Sequence, residues 1–280
     1  MKKTWFTLIL AVLAVATAVA AGGAGANGSP YSPGLAGWEG VLARDGDVRY
    51  SALWARNETL VAAISTDGGR VLRARPLRGQ FGVPLVSYDG TAGGLSGNGR
   101  RLVVASYGPR PGESGTTSFA VLDTKYLQLK RLTRLEGSWS FDAIAPDGSI
   151  LYLTQHVRAG KHPFYRVRSF DVRTGLLRGP LVDRLEGEWD LGGEPVTRAT
   201  SGDGRWAYTL YARRGHEPFV HALDTAERAA YCIDLPLELG YNAQWQLNLK
   251  LRERSGLLIV RSGSRPVASV DTGSWEVERE

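Results

Sequence analysis

The chain has 280 residues, 43% hydrophobic and 22% charged, with a single cysteine. One cysteine excludes an intramolecular disulfide framework, so stability has to come from packing. The formal charge of +6, or +4 without Lys2 and Lys3, is carried by arginines interspersed with acids, which excludes the clustered basic face of a nucleic-acid binder.

In chain order, the first feature is a targeting segment. Lys2 and Lys3 precede an uncharged, mostly apolar run from Trp5 to Ala20, and Ala18-Val19-Ala20 and Ala24-Gly25-Ala26 are small-residue cleavage sites. This layout reads as a secretory signal peptide over residues 1–26, whose alternative is an uncleaved membrane anchor. No later stretch reaches a membrane-spanning length, so the remaining protein of about 255 residues is expected to be secreted or extracytoplasmic. Residues 27–47 form an N-terminal segment. Its "GWEGVLARDGD" from Gly37 is read as a strand laid against the last structural unit, latching the chain into a ring.

From Val48 the sequence repeats. "LSGNGRRLVVASYG" starts at Leu95, "IAPDGSILYLTQH" at Ile144 and "TSGDGRWAYTLYA" at Thr200, with weaker copies at Trp54 and Leu251. Aligning Asn57, Asn98, Asp147, Asp203 and Ser255 gives intervals of 41, 49, 56 and 52 residues. A second marker keeps step: Asp123, Asp171, Asp224 and Asp271 lie 48, 53 and 47 residues apart. Asn-Gly and Asp-Gly close tight hairpins because both residues tolerate positive φ. The apolar runs after them are short and rich in Val, Ile, Leu, Tyr and Thr, which means strand. The aspartate of each "LDT" is placed to bond backbone in the next turn. Each unit therefore reads as four antiparallel strands; in the third they run Ser138–Ala145, Ile150–Val157, Tyr165–Val172 and Leu177–Leu185. Cys232 sits in the apolar run "AAYCIDLPL" and reads as a buried structural thiol.

Four-stranded units at this period predict an all-β chain, a β-propeller of about five four-stranded antiparallel blades, with a sandwich as the alternative. The blades fall at about 48–90, 91–137, 138–190, 191–243 and 244–280. The turns at Ser96–Gly99, Ala145–Gly148 and Ser201–Gly204, with those at Leu122–Thr124, Leu223–Thr225 and Val270–Thr272, resemble the YVTN-type and WD-type (WD40-like) propellers of bacterial secreted proteins. That resemblance implies a fold and little about activity, because the architecture hosts hydrolases, lyases, oxidoreductases and scaffolds.

It also implies where a ligand would bind. In propellers the loops joining second to third strands ring one mouth of the channel. Here those loops are long, basic and aromatic, and they bring forward Tyr107, Arg110, His156, Arg158, Lys161, Tyr211, Arg213, Arg214, His216 and Glu217. Trp139 and Trp189 stand at equivalent places in "RLEGSW" and "RLEGEW", as packing residues or a stacking pair. A basic, aromatic-edged mouth suits an acidic glycan, a carboxylate or a peptide. Two tempting signatures dissolve. Gly202-Asp203-Gly204 is a hairpin turn followed by a strand, not a dinucleotide loop followed by a helix. His216 and His221 are five apart across Pro218, so they do not form a zinc-hydrolase pair. No cofactor and no metal are expected, and Asp142 and Asp190 receive no catalytic role. The leading functional reading is a binding module for a protein or cell-envelope ligand at the channel mouth. Its rivals are a hydrolase or lyase of the lactonase, cyclotransferase or glycosidase kind, and a module completed by oligomerisation.

Overall fold

The computed structural model describes residues 32–160, 163–188 and 190–280; the signal segment and the candidates Lys161 and Trp189 lie outside the described residues. Sheet I comprises β2 (Val41–Leu42), β3 (Val48–Ala55), β4 (Glu58–Ser65) and β5 (Val71–Arg78), and follows a two-residue β1 (Leu35–Ala36). After β6 (Val83–Pro84), sheet II comprises β7 (Arg101–Ala105), β8 (Thr116–Asp123) and β9 (Leu129–Glu136). Sheet III is built from β10 (Trp139–Ile144), β11 (Ile150–Arg158), β12 (Phe164–Asp171) and β13 (Leu177–Pro180). Sheet IV is β14 (Glu194–Thr200), β15 (Trp206–Ala212), β16 (Phe219–Asp224) and β17 (Ala229–Asp234). A single helical turn, α1 (Tyr241–Gln244), leads into sheet V: β18 (Leu247–Arg252), β19 (Leu257–Ser262), β20 (Arg265–Asp271) and β21 (Val277–Arg279). Every ladder between these strands is antiparallel and joins neighbours in sequence, except that β1 pairs with β6.

The turn spelling has a structural cause. Gly99, Gly148 and Gly204 adopt φ of 67°, 77° and 77°, the left-handed conformation that glycine enters without penalty. The preceding Asn98, Asp147 and Asp203 each accept a backbone N–H two residues on, from Arg100, Ser149 and Arg205. The second marker lies at the same end of each sheet and is tied to the first. Thr124 Oγ1 donates to the carbonyl of Gly99, Thr225 Oγ1 to that of Arg205 and Thr272 Oγ1 to that of Gly256. Asp123, Asp171, Asp224 and Asp271 then accept N–H groups of the following turn. The two markers keep step because one turn holds the other.

Sheet I corrects the alignment of the first unit. Its first hairpin is closed at Asp45-Gly46, where the Asp47 amide donates to Asp45 Oδ1 and Thr66 Oγ1 donates to the Gly46 carbonyl. Asn57 lies in the next hairpin, between β3 and β4. The segment expected to latch the last unit therefore supplies β2 to the first sheet, paired Val41 to Tyr50 and Leu42 to Arg49. Sheet III follows expectation closely, except that its last strand stops at Pro180, which has no N–H to continue the ladder. The chain then crosses to sheet IV, where the Arg184 amide donates to the Ala230 carbonyl.

Consecutive sheets pack face to face. Leu102 and Val104 of sheet II pack with Val61 and Ala63 of sheet I. Phe119 and Val121 meet Phe141 and Leu153 of sheet III. Tyr152 and Val167 meet Ala207 and Leu223 of sheet IV, and Tyr208, Leu210 and Val220 meet Leu258 and Val260 of sheet V. Both ends of the 82–95 segment stay with sheet II, where Gly82 pairs with Ala105 and Leu95 with Leu102 of β7, while its middle reaches across to sheet IV. The amides of Tyr88 and Asp89 donate to the carbonyls of Pro195 and Val196, so this segment plugs the open edge of β14.

Candidate functional site

Between sheets III and IV lies a polar layer. Its axis is one row of residues across sheet IV: Arg198, Thr209, His221 and Cys232 are successive register partners on four strands. Side chains on adjacent strands in register share a face, so the row is continuous. Arg198 Nε donates to Thr209 Oγ1 at 2.9 Å. Its Nη2 is bonded to Asp142 Oδ1 and its Nη1 to the Asp142 carbonyl, across to sheet III. The two side chains retain only 5% and 3% of their exposure, so this ion pair is buried. The Cys232 amide donates to Asp183 Oδ1 at 2.9 Å, and Tyr152 Oη donates to the Thr225 carbonyl at 2.7 Å.

Where this layer reaches the end of the sheets opposite the Asp-Gly turns, a narrow depression opens. Sheet III contributes Ser140, Asp142, His156 and Tyr165; sheet IV contributes Glu194 and Tyr211; the plug segment contributes Val86 and Tyr88. The rings are packed on one another, with Tyr165 5.7 Å from Tyr211, and Tyr211 stacked on Phe219 at 5.0 Å. His156 Nε2 lies 2.8 Å from Ser140 Oγ. Two carboxylate oxygens here, Asp142 Oδ2 and Glu194 Oε2, are buried without a hydrogen-bond partner, as are both ring nitrogens of His221 behind them. Buried acceptors left unpaired are unfavourable and mark places where a donor is missing.

Burial sets the protonation of these groups. It pushes His156 down to about 4, so its ring is neutral at pH 7. Burial also lowers His221, helped by the Arg198 charge and opposed by Asp142 and Asp183. Burial raises Tyr165 and Tyr211, and it raises Glu194 against the Tyr241 hydroxyl and the Arg214 charge. The Cys232 thiol is likewise pushed up by burial and by Asp183, which removes any thiolate character.

The candidates read from sequence separate into several places. His156 and Tyr211 line the depression. Tyr107 and Trp139 line a second one beside it, between sheets II and III, and the two share Ser140 and Phe141. Trp139 is 6% exposed, donates from Nε1 to the Glu136 carbonyl and carries the Arg168 guanidinium over its ring, so it is a packing residue. Tyr107 is exposed and meets Trp54 edge-on at 5.9 Å. Arg213, His216 and Glu217 border a shallow groove further out, with Asp234 and Tyr241. Arg213 is bound there: its Nη2 is 2.5 Å from Asp234 Oδ1 and its Nε donates to the Glu217 carbonyl. Arg214 lies 3.8 Å over the Tyr241 ring, Arg158 5.7 Å over Phe164, and Arg110 is exposed. Gln244 fixes this loop: its side chain, 1% exposed, accepts the Arg213 amide and donates to the His216 and Leu239 carbonyls.

Sequence reasoning missed Glu194, Tyr165, Tyr88 and Arg198. Glu194 opens β14 directly after Gly192-Gly193, and that break in the strand pattern was its only local signal. Arg198 and Asp142 are 56 residues apart, and nothing short of the sheet-to-sheet packing brings them together.

No protein-family model matches the sequence, and no curated protein matches it. Among solved structures, the chain is similar to a TolB from Acinetobacter baumannii at 16% identity and a TM-score of 0.45, over 84% of this chain but only 52% of that one. It is similar to a putative TolB from Agrobacterium tumefaciens at 17% identity and a TM-score of 0.46, covering 89% of this chain and 81% of that one. The Cps50 (Swd1) β-propeller domain of Myceliophteria thermophila matches with a TM-score of 0.51 at 14% identity, over 90% of this chain and 72% of that chain. At 14% identity the likeness to the Cps50 domain is one of fold, and it agrees with the stacked antiparallel sheets: the chain has a β-propeller fold.

Proposed function

We propose that the chain is an exported propeller of five blades, sheets I to V, that binds a protein or cell-envelope ligand at the face opposite its Asp-Gly turns. The observation that carries this reading is the depression between sheets III and IV. Three separate parts of the chain converge there, the long connections are on that face, and buried acceptors are left without donors. The turn face supports no comparable role, because its turns are held by their own hydrogen bonds. The YVTN-like spelling of those turns and the apolar run after Lys2 and Lys3 support export.

Two measurements test the reading. A photo-crosslinking amino acid at Tyr107, exposed on the proposed binding face, is expected to capture an envelope or secreted component in the native host. The same residue at Arg100, exposed on the turn face, is expected to capture none. Equal capture from both faces overturns the assignment. N-terminal sequencing of the chain from the host is expected to start after Ala20 or Ala26, and recovery from the cytoplasm with Met1 intact overturns export.

A further inference from the structure

Two acceptors that line the depression have no donor. Asp142 Oδ2 and Glu194 Oε2 are both buried and unpartnered, and Asp142 is only 4% exposed. A carboxylate only accepts hydrogen bonds, so an anionic ligand would add acceptors where donors are wanted. The arginines read as a basic mouth do not supply them: Arg213 is paired with Asp234 and Arg214 lies on the Tyr241 ring. The local charge is equally clear. Asp142 is paired with Arg198 and the His156 ring is neutral at pH 7, while Glu194, which feels the Tyr241 hydroxyl and the Arg214 charge, brings a second carboxyl to the depression.

We propose that this depression holds a single primary ammonium group, presented by a lysine side chain of a partner protein. The assignment rests on the reading that this face binds the ligand, and it names the chemistry recognised. An ammonium carries three donors on a compact charge, which suits two unpaired carboxylate oxygens. Tyr88, Tyr165 and Tyr211 line the depression, and aromatic rings close to a cation attract it. Beside the hydroxyls of Ser140 and Thr154, the wall carries Val86, Phe141, Pro163 and Pro195, an apolar surface that suits a methylene stem. A guanidinium is disfavoured because the planar, bidentate position on Asp142 is already taken by Arg198.

The test is calorimetric titration of the full chain with Nα-acetyl-lysine methylamide, its Nε-acetylated form and glucosamine. The lysine derivative is expected to bind with a Kd on the order of 1 mM, and Nε-acetylation to weaken it at least about tenfold, since the ring and carboxylate contacts both require the charge. Glu194→Gln is expected to cause a similar loss with a nearly unchanged urea midpoint, because the amide keeps the shape of the side chain and one carbonyl acceptor. Tyr88→Leu, which leaves the backbone bond to Pro195 in place, is expected to weaken binding as a second variant. Equal binding of the two lysine derivatives, or no binding at concentrations about tenfold above that Kd, overturns the assignment. Tighter binding of glucosamine also overturns it, in favour of an envelope polymer. Should Tyr107 crosslink a partner while the lysine derivative fails to bind, the lysine assignment falls and the binding face stands; without crosslinks both fall.

Discussion

At the scale of single residues, the Arg198–Asp142 pair decides how sheets III and IV meet. Both side chains are buried, and Arg198 uses three nitrogens on Thr209 and Asp142. Removing one partner leaves an uncompensated buried charge, so Arg198→Met is expected to cost about 3–5 kcal/mol in urea unfolding. The double variant Arg198→Met/Asp142→Leu is expected to regain most of that loss, because replacing both charges by apolar groups removes the desolvation penalty. A double variant no better than the single one would mean that geometry, not charge, sets this joint. His221 adds a pH dependence of definite sign. Its folded pKa lies below the unfolded value of about 6.5, so the unfolded chain binds more protons as pH falls through that value. Stability is complete above pH ~6.5 and declines below it, and His156 contributes the same slope down to about 4. The lowered carboxylates, Asp123, Asp203 and Asp224 among them, act in a separate window, losing their contribution only as pH falls through their own depressed values. His221→Leu is therefore expected to flatten the slope of unfolding free energy below pH ~6.5 and leave the more acidic limb unchanged. These residues were hidden in the sequence for a physical reason. Nothing in a lone histidine or arginine within an apolar strand records its partner on the next sheet.

At the scale of elements, the hairpin turns were legible because their chemistry is local. Asn98-Gly99, Asp147-Gly148 and Asp203-Gly204 carry their own hydrogen bonds and their own glycine conformation. The first unit misled because Asn57 and Asp45 both spell a turn, and only strand pairing shows that Asp45 closes the first hairpin. The plug at 82–95 was illegible for the opposite reason: its bonds to Pro195 and Val196 are long-range and backbone-borne, and leave no mark in side-chain pattern. The tie between the two turns of a sheet can be measured. Thr225 is 1% exposed and its hydroxyl donates at 2.7 Å to the Arg205 carbonyl. Thr225→Val is expected to cost about 1–2 kcal/mol, the loss of one buried hydrogen bond at nearly constant shape. Val172 already occupies the equivalent place in sheet III, where only the backbone bond to Ser149 remains, so Val172→Thr is the reciprocal variant. Gly97 marks where turns of sheets II and IV touch. A Cβ there would lie 2.1 Å from the Asp203 carbonyl oxygen, and backbone cannot yield as a side-chain tip can. Gly97→Ala is expected to cost about 2–3 kcal/mol, more than Thr225→Val.

At the scale of the whole molecule, the sheets are joined unequally. Four apolar clusters knit I to II, II to III, III to IV and IV to V. The remaining faces, of sheets V and I, are different in kind. Strand alternation turns Ile259 away from Leu258 and Val260, and Ser51 away from Tyr50 and Ala52. Ile259, Ser51 and Ala62 are buried, yet they belong to none of the clusters described above. Apolar burial contributes roughly 25 cal/mol per Å², so faces carrying a serine and an alanine hold far less than those carrying Phe119, Phe141 and Leu153. Cooperative units with fewer buried apolar contacts open first. In native-state hydrogen exchange, β3 and β4 are therefore expected to lose protection before β15 and β16, which lie between two clusters. Ile259→Ala should widen the difference, by removing a buried side chain from the weaker faces without touching the cluster that contains Leu258. If β3 and β4 instead exchange together with β15 and β16 in both proteins, these faces of sheets V and I are held as firmly as the rest, and β3 and β4 open only by global unfolding.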